Sequence, residues 1–349
     1  MVPVTLITDR FGAGTGTGGV VAAVARSLRE RGVDVEVAAR RVDGEVPGVA
    51  VRPRARVEAW RGRCRVGFDR APGAEVVRAS GGVHAAWTGI GADSAWRRLR
   101  ARLPAERAVG EAERASFAAA LLVIANAEKV GRELAFFHGV GPERVRLVRT
   151  GVDLARFAPD AERRRSLRAA RGGSGRVAAF VGHGFRRKGL DTALAAFLAA
   201  AGPRDALWVI GRDAASSSWR ARCRDPRVTF LGAQDPARWL PAADALLAPS
   251  RYDAASNVVL EALACGVPPV VSLADGSSEV VSERGLCVAE PSDVRGFADG
   301  LRRAWEDGAL RERCRADGER WPVSRMVDGL VRAIDECAGS GRMGEAGRG

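Results

Sequence analysis

The sequence predicts an α/β protein built from two Rossmann-like halves that face each other across a cleft. Three observations carry this expectation. Short apolar runs alternate with stretches of helical periodicity, the pattern of α/β units laid over parallel sheets. The alternation stops near residues 151–159, where Arg163-Arg-Arg165 and Gly172-Gly173 follow. It then restarts from a new apolar run at 177–181. A chain of 349 residues has room for two cores of ordinary size. The expected boundaries are 1–155 for the first domain and 156–320 for the second. Residues 321–337 are expected to form a helix packing back towards the first domain, and the glycine-rich 338–349 a flexible tail.

In the first half, residues 2–8 read as a strand and Gly12-Ala-Gly-Thr-Gly-Thr-Gly-Gly19 as a glycine-rich loop. A helix runs on to about Arg31, before a strand at 33–38. Further strands are expected at 65–68, 121–125 and 145–148. Between them, 94–120 reads as one long basic helix or a helix pair, broken near Pro104. In the second half, strands are expected at 177–181, 207–210, 228–231, 245–248, 270–272 and 286–288. Helices are expected at 191–201, at 258–265 and from Ser292 onward.

Composition bounds the function. Hydrophobic residues at 46% and charged residues at 28% are those of a soluble globular protein. No apolar run approaches the roughly 20 residues that cross a bilayer. The start, Met1-Val-Pro-Val-Thr-Leu-Ile-Thr-Asp9, reads as a first strand and not as a signal peptide. Six scattered cysteines without a C-x-x-C pair, and three histidines, argue for reduced thiols in the cytosol and against a structural zinc. The net charge of +13 is concentrated in the first half, and suits nucleic acid, anionic lipid or a phosphorylated substrate. No nucleic-acid-binding motif is present and the arginines are spread over the whole chain, so nucleic acid is not an expected partner.

Three loops carry chemistry. The glycine-rich loop opens a helix, so an anion can approach its backbone and the helix amino terminus. It does not fit a dinucleotide fingerprint; Glu36, on the second strand, is either a ribose-binding acid or a surface residue. The second loop is Gly182-His-Gly-Phe-Arg-Arg-Lys-Gly189. Of 55 basic residues only Lys129 and Lys188 are lysines, and Lys188 falls here beside Arg187. A planar fork next to a compact point charge suits a diphosphate, while a solvated basic loop is the plainer alternative. The third loop, Pro249-Ser-Arg-Tyr-Asp253-Ala-Ala-Ser-Asn-Val-Val-Leu-Glu261, places two carboxylates eight residues apart around a helix start. Backbone N–H groups of Ser256, Asn257, Val258 and Val259 are free there to meet an anion. Glu261 is the odd residue on an otherwise apolar helix, and a ribose diol is a suitable partner for its two oxygens.

The pair Asp253…Glu261, the strand-loop from Val181 to Gly189 and the linker Gly151-Val-Asp-Leu-Ala-Arg-Phe resemble the family 4 retaining glycosyltransferases of GT-B fold. Within that family the resemblance is to the lipopolysaccharide core α-glucosyltransferases. It extends over Leu260-Glu-Ala with Gly266-Val-Pro, Val66-Gly-Phe-Asp, Ala71-Pro-Gly, Glu113-Arg-Ala-Ser-Phe117 and Pro142-Glu-Arg144, covering most of 1–330. It implies a hexose moved from a UDP-sugar to a cell-surface glycan or glycolipid, with retention and without a metal or other cofactor. Arg187 and Lys188 would hold the diphosphate and stabilise the departing UDP. Asp253 would bind hydroxyls of the transferred sugar and Glu261 the ribose, with Gly182, Ser256, Asn257, Val258 and Val259 lining the donor site. Gly18 and Gly19 would match the family's glycine pair. His84 would take the place of a histidine that contacts the sugar, or else be structural; His183 stands near enough in sequence to approach the phosphates.

Two departures stand out. Asp253 is one methylene shorter than the family's usual Glu, and Ser256-Asn257 replaces a step that commonly contains glycine. Trp96, Arg97, Arg98, Leu99, Arg100 and Arg102 suit either an interfacial helix on anionic lipid or a solvated helix face. The expected location is the cytoplasm, peripheral on the inner face of its membrane. A UDP-N-acetylglucosamine 2-epimerase-type enzyme shares the fold and is the alternative in another enzyme class. A basic nucleic-acid-binding protein is the alternative outside enzymes.

Overall fold

The computed structural model describes residues 2–12, 17–43, 49–53, 62–68, 70–89, 103–170 and 175–339. The chain divides into two compact units, residues 1–150 with 323–349, and residues 151–322.

Unit 1 starts with strand β1 (Val4–Gly12), helix α1 (Thr17–Glu30), β2 (Val35–Asp43), β3 (Ala50–Pro53), β4 (Cys64–Phe68) and β5 (Val76–Arg78). Then come α2 (His84–Gly89), α3 (Pro104–Ala119), β6 (Leu122–Ala125), α4 (Glu128–His138) and β7 (Val145–Leu147). The strands form a seven-stranded sheet in the order β3-β2-β1-β4-β5-β6-β7, every pairing parallel. A sheet covered on both faces needs strands that are apolar on both. Strand β1 meets this: Val4, Leu6, Ile7 and Phe11 are all fully buried. Helix α1 buries Val21, Val24, Ala25 and Leu28, the one-sided spacing of an amphipathic helix.

Helix α12 (Val323–Gly339), the last in the chain, belongs to this unit. It buries Met326, Val327, Leu330, Ile334 and Cys337 in the same core as Val4, Leu6 and Val66. It runs two residues into the stretch expected to be a tail; 340–349 lie outside the described residues.

Unit 2 contains α5 (Ala161–Ala170), β8 (Val177–Val181), α6 (Leu190–Ala200), β9 (Ala206–Ile210), α7 (Ser216–Arg222) and β10 (Val228–Gly232). After them come α8 (Pro236–Trp239), β11 (Ala245–Ala248), α9 (Asn257–Ala264), β12 (Pro269–Ser272), β13 (Cys287–Val288), α10 (Val294–Glu306) and α11 (Leu310–Glu319). Its six-stranded sheet has the order β10-β9-β8-β11-β12-β13, again all parallel.

The structure departs from the sequence reading in a few places. Strand β1 continues to Gly12 and β2 to Asp43, so the glycine run begins within the strand. Glu36 is neither a surface residue nor open to a ribose: it is buried near the start of β2, accepts from Thr5 Oγ1 at 3.0 Å and pairs with Arg52 at 3.0 Å. The helix at 94–120 is described only from Pro104, which occupies its first turn, where a missing N–H is no loss. Arg163-Arg-Arg165 lies inside α5, not in a break. That helix buries only Leu167 and is held instead by Arg164 and Arg168 on Asp244, so it shows no apolar stripe.

Candidate functional site

In parallel α/β sheets, ligands meet the carboxyl ends of the strands. In unit 2 two such ends lie side by side, because β8 pairs with β11. The loop after β8 carries Gly182 to Gly189, and the loop after β11 carries Pro249 to Ser256.

Glycines bring these loops into contact. A Cβ on Gly189, at φ +75°, would lie 2.0 Å from the carbonyl oxygen of Pro249. One on Gly182 would lie 2.9 Å from Lys188 Cγ, so the lysine stem folds back across bare backbone. Arg251 ties the same loops: its N–H donates to Arg187 O at 2.9 Å, and its guanidinium holds both oxygens of Asp191 at 3.0 and 2.6 Å.

Arg187, Lys188 and Asp253 converge. One oxygen of Asp253 lies 2.5 Å from Arg187 Nη1 and 2.9 Å from Lys188 Nζ. Burial would raise this carboxyl, but the Lys188 and Arg187 charges prevail and hold it at about 2. It is therefore an anion throughout the physiological range. Lys188 Nζ also donates to Ser256 Oγ at 2.6 Å. Ser256 precedes α9, whose first N–H groups open toward this loop.

Glu261 is buried one turn into α9 among Val258, Val259, Leu260, Ala262 and Leu263. Among the described residues no donor lies within hydrogen-bonding distance of its carboxylate. Burial pushes the group up to about 7; Arg156 pulls it down, Asp235 pushes it up, and Lys188 pulls it down. Arg156 and Asp235 are themselves paired at 2.8 Å. With Asp160, Arg163 and Arg238 they line an open cavity of about 850 Å³. Sequence reasoning quoted Arg156 only as part of the linker and gave Asp235 no role; neither sits in a pattern that signals one.

The remaining expected residues fall elsewhere. Gly18 and Gly19 lie in the first turn of α1 in unit 1, where a Cβ on Gly18 would come within 3.2 Å of Arg10 O. His84 begins α2 and places Nε2 3.1 Å from Glu106, while its N–H donates to Glu113 at 2.9 Å. His183 accepts the N–H of Arg212 at Nδ1, 3.0 Å away. Trp96, Arg97, Arg98, Leu99, Arg100 and Arg102 lie outside the described residues. Sequence reasoning missed Asp275, which is fully buried beneath Ser256 and accepts from its N–H and its hydroxyl at 3.1 and 2.5 Å.

Comparison with known proteins adds to this geometry. Residues 175–307, which hold both loops, match the family model described as glycosyl transferases group 1. The D-inositol 3-phosphate glycosyltransferase of Jonesia denitrificans is 33% identical over 239 residues, 62% of this chain and 56% of that protein. The protein of the same name from Acidothermus cellulolyticus is 29% identical over 251 residues, 65% of this chain and 55% of that protein. The chain thus spans about half the length of the curated relatives it matches. Among solved structures, WaaG, a glycosyltransferase involved in lipopolysaccharide biosynthesis, covers 96% of this chain and 100% of its own at TM-score 0.79 and 21% identity. Anabaena HepE in complex with UDP and glucose covers 96% of this chain and 100% of its own at TM-score 0.70 and 16% identity. These likenesses show the fold: two parallel-sheet α/β domains of the GT-B type.

Proposed function

We propose that the chain is a retaining glycosyltransferase that moves a hexose from a UDP-sugar to a hydroxyl of a cell-surface glycan or glycolipid. One observation carries the reading: Arg187 and Lys188 converge on Asp253 at paired strand ends, with Glu261 buried on the helix that follows. The donor diphosphate displaces Asp253 from the two cations, which then stabilise charge on the departing UDP. Asp253, once released, accepts from hydroxyls of the transferred sugar, and Glu261 accepts from the ribose diol. Gly182 and the backbone N–H groups of Asn257, Val258 and Val259 complete the phosphate site. The counter-charge is assigned to side chains of this chain, with no metal invoked. His84, Gly18 and Gly19, which lie in unit 1, are proposed as donor-binding residues on the resemblance alone.

The family match over 175–307 supports transfer over 2-epimerisation or nucleic-acid binding. For the acceptor, lipopolysaccharide core is the first reading. An inositol phosphate is the second, favoured by the names of the curated relatives. Among the described residues no helix is long and apolar enough to cross a membrane. The basic segment 96–102 is proposed to bring the cytoplasmic enzyme to anionic lipid.

The test is a thermal-shift screen over nucleotide sugars, followed by product analysis with the best donor and both acceptors. A UDP-sugar is expected to protect, with protection lost in Lys188→Ala and Glu261→Ala. Protection by an oligonucleotide alone, or retained in both variants, overturns the site.

A further inference from the structure

We propose that Asp275 is the positioning residue for Lys188, acting through the Ser256 hydroxyl. The inference rests on the nucleotide-sugar reading of the site and names a residue that reading does not use.

Asp275 lies in the turn after β12 and is completely buried. A buried carboxylate is stable only if its oxygens are satisfied. Here Oδ1 accepts from Ser256 N, Ser277 N and Ser277 Oγ at 3.1, 3.0 and 2.8 Å, and Oδ2 from Ser256 Oγ at 2.5 Å. The pairing of Asp253 with Asp275 as a parallel bridge locks this turn to the loop that carries the acid.

The consequence concerns one proton. A serine hydroxyl has one hydrogen to give. The Asp275 carboxylate has none, so the short contact commits the Ser256 hydrogen to it. The lone pairs of Oγ are left for Lys188, whose ammonium donates to them at 2.6 Å. The relay holds the ammonium on Ser256 Oγ, beside Asp253 in the ligand-free protein and against the diphosphate once Asp253 is displaced. Without it the flexible stem of Lys188 has several places to go.

Asp275→Asn tests this, because it keeps the shape and reverses the relay. The amide oxygen can keep the three Oδ1 bonds while its NH₂ faces Ser256 Oγ. The serine then accepts from Asn, so its hydrogen turns away from that side chain and competes with the one remaining lone pair for the direction of Lys188, which has no lone pair of its own. Binding of UDP to the full chain, by calorimetry, is expected to weaken about tenfold, the scale of one hydrogen bond to a charged group. Simple removal of a negative charge near Lys188 would instead tighten diphosphate binding, so the direction of the change separates the two.

Ser256→Ala is expected to weaken UDP to a similar degree, and Asp275→Asn added to it to do nothing more. Multiplying effects in the double variant, or unchanged or tighter binding in a folded Asp275→Asn protein, overturn the proposal. A wild-type protein that binds no UDP overturns the nucleotide-sugar reading itself, a different result. If Asp275→Asn unfolds early, Ser256→Ala and Lys188→Ala still decide. Their effects on UDP must then fail to multiply, and multiplication again sinks the relay.

Discussion

The two units repeat one topology and use its strand ends differently. In each sheet the first long strand lies between its successor and a strand reached by a crossover: β1 between β2 and β4, β8 between β9 and β11. After β1, no residue from Gly12 to Gly19 is charged. After β8 comes Arg186-Arg187-Lys188, of which Arg187 and Lys188 face Asp253 from the neighbouring strand end. Unit 1 has buried charges too, but they are spent on the fold. Glu75 is clasped by Arg65 on the adjacent strand, and Glu113 holds His138 at 3.0 Å as well as the N–H of His84. Arg78, fully buried at the end of β5, donates to Ser80 Oγ at 2.9 Å and to Thr150 Oγ1 at 3.0 Å. Burial alone does not mark a functional charge. What separates the units is whether the charge is consumed by groups that cannot leave, or by groups a ligand can replace.

Substitution at Arg78 breaks the comparison most forcefully. Arg78→Ala removes two hydrogen bonds to a charged donor and leaves a cavity, so it is expected to destabilise unit 1 by about 4 kcal/mol. Urea unfolding measures that loss, and UDP affinity measured alongside should stay at the wild-type value. A large change in UDP affinity without loss of stability would make Arg78 a site residue and erase the distinction drawn between the units.

Lys188→Ala is the converse. Its ammonium is held by Asp253 and Ser256, both at the same strand end, and its removal leaves the core of unit 2 intact. Turnover of the best UDP-sugar is expected to fall about 100-fold, the loss typical of one donor to developing negative charge. The melting temperature should move little. Equal turnover in the variant would leave Arg187 as the sole counter-charge and Lys188 as a structural tie between Asp253 and Ser256.

How much of this could be foreseen follows the same division. Most of unit 2's strands were legible because they are short apolar runs bounded by glycine or charge, as Val177–Val181 before Gly182 shows. Lys188, Asp253 and Glu261 were legible because each violates its surroundings: a lysine among arginines, an acid before a helix, a carboxylate inside an apolar one. Strands β3 (Ala-Val-Arg-Pro) and β5 (Val-Val-Arg) were missed because each offers just two apolar residues before an arginine. Asp275 was missed because Ala274-Asp-Gly276 looks like any turn. Two of its carboxylate's four hydrogen bonds come from Ser256, nineteen residues away in sequence. Such a partner leaves no local signal.

The smallest expected effect tests the least obvious part of the contrast, that Glu261 is held in reserve for a ligand. Its carboxyl is pushed up to about 7 from an ordinary 4.5. Below about pH 4.5 it is protonated whether the chain is folded or not, and contributes nothing to pH dependence. As pH rises from there to 7, the unfolded chain ionises while the folded one keeps its proton, so stability falls; above 7 the loss is constant. Between pH 5.5 and 8 this group alone is expected to remove about 2 kcal/mol of stability from the ligand-free protein. Glu261→Gln cannot ionise, so the stability gap between variant and wild type should widen by that amount over the same range. A gap that stays constant with pH would mean the folded Glu261 carboxyl already ionises near 4.5, held by a partner of its own. Ligand sharpens the result. A ribose diol donating to Glu261 favours the ionised form, so UDP binding at pH 6.5 should release a fraction of a proton. That release appears as a dependence of binding heat on the buffer's ionisation enthalpy, and it should vanish in Glu261→Gln. A structural carboxylate would show the first effect without the second; only one waiting for a partner shows both.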